Sequence, residues 1–195
     1  MDEPLSALDA KLRESLRVEL KKLHSTLRAT FLHGTHDQIK AMSMADRIGV
    51  LQKGRLVQAG TPADIYDRPM NTFVARSVGS PPMNLIDGRL AGGKAELGTF
   101  RLPVQMAAGA VRTVTFGVQP ENLVLESGAP GEARIFDIED QGVVKILVMD
   151  VGDARVHATV PAGTKVLRDE LVRFGWKSDR ILTFDPQTGA NLALV

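Results

Sequence analysis

Asp2 and Glu3 stand side by side near the start of the chain and are followed at once by Pro4, and His36 comes one helix-length later within Thr35-His36-Asp37-Gln38. Pro4 stops strand pairing, while Ser6 and Asp9 suit a loop and a helix N-cap. The chemistry such a set can do is attack of water on a phosphoanhydride. One carboxylate at a strand end helps hold Mg²⁺, its neighbour polarises the water, and a histidine on the next strand end reaches the terminal phosphate. Acidic pairs beside proline are also common in solvated loops, so the pair gains weight only from the residues that follow it.

Those residues supply the elements that must position the set. Leu8, Leu12, Leu16, Leu20, Leu23 and Leu27 recur at intervals of three and four with Lys11, Arg13, Arg17, Lys21 and Lys22 elsewhere around the turn, which predicts a long amphipathic helix. Glu14 and Glu19 interrupt its basic residues, so the polar side reads as a solvated face rather than a membrane-surface one. Ala29 to Gly34 reads as a short buried strand that delivers Thr35 and His36 to its C-terminal end, where ligands sit in open α/β sheets. A short helix over 38–47 follows, then a hairpin of Ile48 to Leu51 and Leu56 to Gln58 across Gln52-Lys53-Gly54. Thr61-Pro62 opens a further helix as N-cap and N1 proline, and Thr72 to Val78 forms another.

The run Asp2-Glu3-Pro4-Leu5-Ser6-Ala7-Leu8-Asp9, then a helix, then Thr35-His36-Asp37-Gln38, Ala41-Met42 and Ala45-Asp46-Arg47 closely resembles the ATP-binding subunits of ABC transporters. Within them it is similar to the carbohydrate-importer branch, the relatives of the maltose and glycerol-phosphate uptake ATPases. The resemblance implies that Asp2 is the Walker B aspartate that holds Mg²⁺ through water, Glu3 the catalytic glutamate, Ser6 to Asp9 the D-loop on the nucleotide, and His36 the switch histidine. ATP and Mg²⁺ are the cofactors it implies for a full-length member. It also implies permease subunits and a second ATPase subunit as partners, a homo-oligomer, and a cytoplasmic place on the inner face of the plasma membrane through the permease. Two positions depart from the family's pattern: Gly34 stands where an apolar residue is usual, and Lys40 where Glu is usual.

In that family the Gly-rich phosphate loop, the Q-loop and the Leu-Ser-Gly-Gly-Gln signature lie upstream of the carboxylate pair. Gly88, Gly93 and Lys94 match the spacing of a phosphate loop, but Ala95 stands where a hydroxyl must reach Mg²⁺, and Gly98 and Pro103 prevent the helix that should follow. The match is therefore expected to be a turn in a β domain. By itself the chain is not expected to hydrolyse ATP. The first 79 residues, short of a sheet to cover their leucines, are expected to self-associate or stay partly disordered, and residues 84–195 to fold independently.

Gly79-Ser80-Pro81-Pro82 marks a change of composition. Beyond it Val111 to Val118, Val143 to Met149, Val156 to Val160 and Ile181 to Phe184 are β-branched runs set apart by turn residues, the rhythm of a small barrel. Phe116-Gly-Val-Gln-Pro-Glu121-Asn-Leu and Phe184-Asp-Pro-Gln-Thr-Gly189 resemble the TOBE regulatory domain of the same importers, although Gln119 replaces a common Arg. The expected fold is thus an α/β partial P-loop NTPase segment of the ABC ATPase kind over 1–80, followed by an all-β OB-like TOBE barrel over 81–195.

Composition narrows the classes further. With 195 residues, 44% hydrophobic and 24% charged, a real core is affordable, and a net charge of +1 without basic runs gives no footprint for nucleic acid. The absence of cysteine removes disulfides and thiolate metal sites. The first residues are acidic and lack an apolar run, unlike a secretory signal, and nowhere do roughly 18 apolar residues run together. Direct insertion into a membrane is therefore not expected. A rival reading keeps the same fold and makes the β domain a stand-alone regulatory or binding module, with Asp2, Glu3 and His36 as relics.

Overall fold

The computed structural model describes residues 19–20, 22–24, 26–27, 30–98, 100–104 and 111–193. The chain divides into two compact units, Met1–Arg68 and Pro69–Val195.

In the first unit Glu19, Leu20, Lys22 to His24, Thr26 and Leu27 are helical, as the leucine spacing predicts. Leu23 is 47% and Leu27 57% exposed, so this part of the stripe is uncovered. The strand expected from Ala29 to Gly34 is not formed over its described residues. Thr30 to His33 take no regular structure, Gly34 makes a single bridge, and all five are exposed. A buried strand of this kind needs partners on both flanks and cover on both faces, and Phe31 and Leu32 have no such cover.

Helix α1, Gln38–Met44, is capped by Asp37, whose side chain accepts from the Lys40 amide. Strands β1, Ile48–Gln52, and β2, Arg55–Gly60, form the expected antiparallel hairpin. Its two-residue turn puts Lys53 at φ 49 and Gly54 at φ 75, the left-handed pair that matches strand twist in a tight hairpin. Helix α2, Pro62–Asp67, has Pro62 in its first turn and a reciprocal capping box between Thr61 and Asp64. The buried side chain of Gln58 donates to the carbonyl of Arg68 at 3.0 Å, which ties β2 to the end of that helix.

The second unit begins with helix α3, Thr72–Ser77, whose first turn is closed by Asn71 Oδ1 accepting from the Val74 amide at 2.9 Å. Ten strands follow among the described residues. One sheet orders β12-β6-β3-β4-β5, from β3 (Asn84–Ala91), β4 (Lys94–Leu97), β5 (Phe100–Pro103), β6 (Arg112–Val118) and β12 (Leu182–Phe184). The other orders β10-β9-β8-β11-β7, from β7 (Leu123–Leu125), β8 (Gly131–Asp140), β9 (Val144–Val151), β10 (Ala154–Pro161) and β11 (Leu171–Trp176). All pairings are antiparallel, and all four β-branched runs read from the sequence are strands.

The two five-stranded sheets, against about five strands in a single OB barrel, close around one core. Ile86, Val114 and Phe116 from one sheet meet Ile135, Leu147, Met149 and Phe174 from the other. At about 1.5 to 3 kcal/mol for each large apolar side chain, this cluster is the main source of the unit's stability. Two polar links cross the core: Trp176 Nε1 donates to the Pro103 carbonyl at 2.8 Å, and the Asn84 side chain bonds to the backbone of His157. The spacing match at Gly88 to Ala95 is a β-hairpin. Gly88 lies inside β3, where an added Cβ would stand 2.7 Å from the Glu96 carbonyl, and Gly92 and Gly93 form the turn into β4.

Candidate functional site

Asp2, Glu3, Ser6 and Asp9, the expected catalytic, nucleotide and Mg²⁺ residues, lie outside the described residues. His36 is the one member of the set that the structure describes. It is exposed, in a bend between the Gly34 bridge and the start of α1.

The backbone around His36 is pinned on both sides. Thr35 Oγ1 accepts from the Asp37 amide at 3.0 Å, closing a short turn over the histidine. Asp37 then begins the helix, its carbonyl accepting from the Ala41 amide at 3.1 Å and its Oδ1 from the Lys40 amide at 3.1 Å. Asp37 Oδ2 lies 3.3 Å from Lys40 Nζ. The Lys40 amide, and then its ammonium, hold the Asp37 carboxyl below the usual carboxylate range, against an opposing push from burial. The arrangement presents an imidazole to solvent from a fixed backbone, and a neutral imidazole there can donate a hydrogen bond to a phosphate oxygen. Among the described residues no group of three or more His, Asp or Glu could hold a metal ion.

A second feature lies within the β unit, a polar cleft of about 310 Å³ lined by Thr72, Arg76, Asp87, Thr115, Asp185 and Thr188. Sequence reasoning missed it, because its lining comes from positions more than a hundred residues apart and no motif joins them. Its polar groups largely satisfy one another. Thr115 Oγ1 donates to Asp87 at 2.6 Å, and Asp185 Oδ1 accepts from the Thr188 amide at 2.7 Å and from the Gln187 amide at 3.0 Å. The Thr188 amide, then its hydroxyl, keep the Asp185 carboxyl below the usual range. The first bond joins β3 to β6, and the others shape the turn from Asp185 to Thr188.

The stretch Phe116 to Leu123, which carries much of the TOBE resemblance, turns out to be largely core. Phe116, Gln119, Pro120 and Leu123 are buried, and an added Cβ at Gly117 would stand 2.7 Å from Met83 Sδ. Much of the residue pattern therefore marks packing, while Glu121 is exposed.

Comparison with known proteins finds similarity over nearly the whole chain. A family model described as the MalK OB fold domain matches residues 79–123. The chain is 38% identical over 194 residues to an sn-glycerol-3-phosphate import ATP-binding protein of Ruegeria pomeroyi, covering 98% of this chain and 55% of that protein. It is 40% identical over 206 residues to a trehalose/maltose import ATP-binding protein of Thermococcus litoralis, covering 97% of this chain and 55% of that protein. An uncharacterised ABC transporter ATP-binding protein of Sinorhizobium fredii is 41% identical over 201 residues, covering 98% of this chain and 53% of that protein. The chain thus spans about half the length of the curated relatives it matches.

Proposed function

We propose, for a chain that belongs to the ABC-importer ATP-binding proteins as a C-terminal portion of that branch, that it supplies the carboxylate and histidine part of an ATPase site together with a regulatory β domain. The observation that carries the reading is an identity of 38% that extends over 98% of the chain, and so over most of both units. In this reading the first 80 residues are a segment of an α/β P-loop NTPase, Glu3 orients water, Asp2 holds Mg²⁺ through water with Ser6 and Asp9 beside the nucleotide, and His36 contacts the terminal phosphate. ATP, when bound, supplies the phosphoanhydride whose hydrolysis drives uptake of a sugar or related solute.

The fit of this chain's own residues to that cofactor is partial. His36, exposed on a pinned turn, suits a phosphate contact. The hairpin at Gly92 and Gly93 does not suit a phosphate cradle, since β4 follows it where a helix N-terminus is needed. The site is completed by a segment that bears a phosphate loop, and the unit acts on permease subunits with a second ATPase subunit, peripheral on the inner membrane face. Among the described residues no helix is long and apolar enough to cross a membrane.

The test is to mix the chain with a phosphate-loop segment from a relative and to measure ATP turnover. Turnover in the mixture, absent from either part and lost in Glu3→Gln, supports the reading. Equal turnover in Glu3→Gln removes the role given to Glu3. A second reading, a regulatory or binding module acting through the OB-like domain, draws support from the core cluster of the β unit, whose residues all lie in the second unit.

A further inference from the structure

We propose that Lys40 is a positioning residue for His36, holding through Asp37 the turn that presents the imidazole; this rests on the reading of His36 as the switch histidine. Lys40 reverses the ordinary pattern of its helix. Its side chain is 8% exposed while the adjacent Ile39 is 63% exposed. Burying an ammonium is costly unless it is paired, so a lysine turned inward beside an isoleucine turned outward is not explained by packing.

The pairing is specific. Lys40 uses both oxygens of Asp37, donating from its amide to Oδ1 at 3.1 Å and setting its ammonium 3.3 Å from Oδ2. Asp37 in turn donates its amide to Thr35 Oγ1 at 3.0 Å. His36 is therefore held between two residues of which one, Asp37, is clamped by Lys40. Without the Lys40 ammonium the half-buried Asp37 carboxylate, 29% exposed, keeps the Lys40 amide on Oδ1 but loses the partner of Oδ2, so it is freer to turn toward water and the turn over His36 loosens with it. A Glu at this position, usual in the family the chain resembles, would place a second carboxylate beside Asp37. The clamp is a property of this chain's lysine.

The experiment uses the 195-residue chain and NMR without nucleotide. The His36 Cε1–Hε1 signal and the amide exchange of His36 and Asp37 are compared in the unaltered chain, Lys40→Met, Lys40→Arg and Asp37→Asn. Asn caps a helix about as well as Asp, so Asp37→Asn removes the pair and keeps the cap. The expected result is that Lys40→Met and Asp37→Asn shift the ring signal and speed amide exchange at His36 and Asp37 roughly fivefold or more, while Lys40→Arg stays near the unaltered chain. The Ala45 amide, bonded to the Ala41 carbonyl at 3.2 Å, reports whether α1 persists. If Lys40→Met melts α1, Asp37→Asn decides alone. Unchanged His36 signals and exchange in Asp37→Asn overturn the proposal. No nucleotide enters this measurement, so its failure concerns Lys40 only, whereas unimpaired turnover of His36→Ala in an assembled site would concern only the reading of His36.

Discussion

Asn84 and His157 are locked together by a reciprocal pair of hydrogen bonds: the Asn84 side-chain amide donates to the His157 carbonyl at 2.8 Å, and its oxygen accepts from the His157 amide at 2.7 Å. The same Nδ2 also donates to the Val118 carbonyl at 3.2 Å, so one buried side chain joins β3 and β6 of the first sheet to β10 of the second. An edge strand of one sheet thereby receives, from a side chain of the other, the bonds a neighbouring strand would give it.

Replacing Asn84 leaves the half-buried carbonyl and amide of His157, and the buried Val118 carbonyl, without this partner. Asn84→Ala is expected to cost about 2 to 4 kcal/mol in chemical denaturation, and Asn84→Asp as much, because a carboxylate cannot donate to the His157 carbonyl. A loss below about 0.5 kcal/mol would show that water replaces these bonds freely.

Trp176 makes the second crossing, with its Nε1 on the Pro103 carbonyl and its ring 5.9 Å from that of Phe116. Trp176→Phe keeps an aromatic ring in the core and removes the donor. It is expected to destabilise the β unit by about 1 to 3 kcal/mol, read by thermal or urea unfolding.

The segment before β3 belongs energetically to the β unit. Asn191 Nδ2 donates to the Pro69 carbonyl and the Asn191 amide to the Met70 carbonyl, both at 2.8 Å, and Ala75 packs with Met83 and Phe184. A fragment of residues 69–195 is expected to unfold cooperatively, and one of residues 84–195 at a lower urea concentration, because Asn191 loses both partners and Phe184 its cover. Equal midpoints would contradict this.

Acid should weaken the first unit through its caps. The Thr61 hydroxyl and then its amide, with the Arg68 guanidinium, hold the Asp64 carboxyl below the usual range, and Lys40 does the same for Asp37. A carboxyl whose folded pKa is lowered contributes stability that is present above the unfolded value of about 3.9 and is lost as pH falls through the lower folded value. Carboxyl carbon shifts in an NMR titration should give Asp37, Asp64 and Asp185 midpoints below those of exposed reference aspartates. Midpoints in the ordinary range would remove the caps from the account.

How much of this was legible in the sequence follows from the range of the interactions. The Lys53-Gly54 turn, the Thr61-Pro62 start of α2 and the four β-branched strands are set by residues a few positions apart, and the spacing of residue types gave each one correctly. The strand at Ala29 to Gly34 was misread because apolar content alone cannot supply the neighbours that a buried strand requires. Short strands such as β4 in one sheet and β7 in the other carry too few residues for a period to register, so they do not stand out in the sequence. The Asn84–His157 link spans 73 positions and leaves no local trace. At the site, the flanking residues single out His36 in the sequence, while the inward turn of the Lys40 side chain leaves no local trace there.

The proposal tested most directly is that Glu3 and His36 of this chain supply the water-orienting and histidine groups of an ATPase site that a phosphate-loop segment completes. The most direct measurement is ATP turnover by the purified 195-residue chain, alone and then with a phosphate-loop segment, for the unaltered sequence, Glu3→Gln and His36→Ala. The account predicts background turnover for the chain alone, turnover in the mixture, and a loss of roughly a hundredfold or more in each variant with ATP binding nearly kept. Turnover by the chain alone that disappears on Glu3→Gln would contradict it.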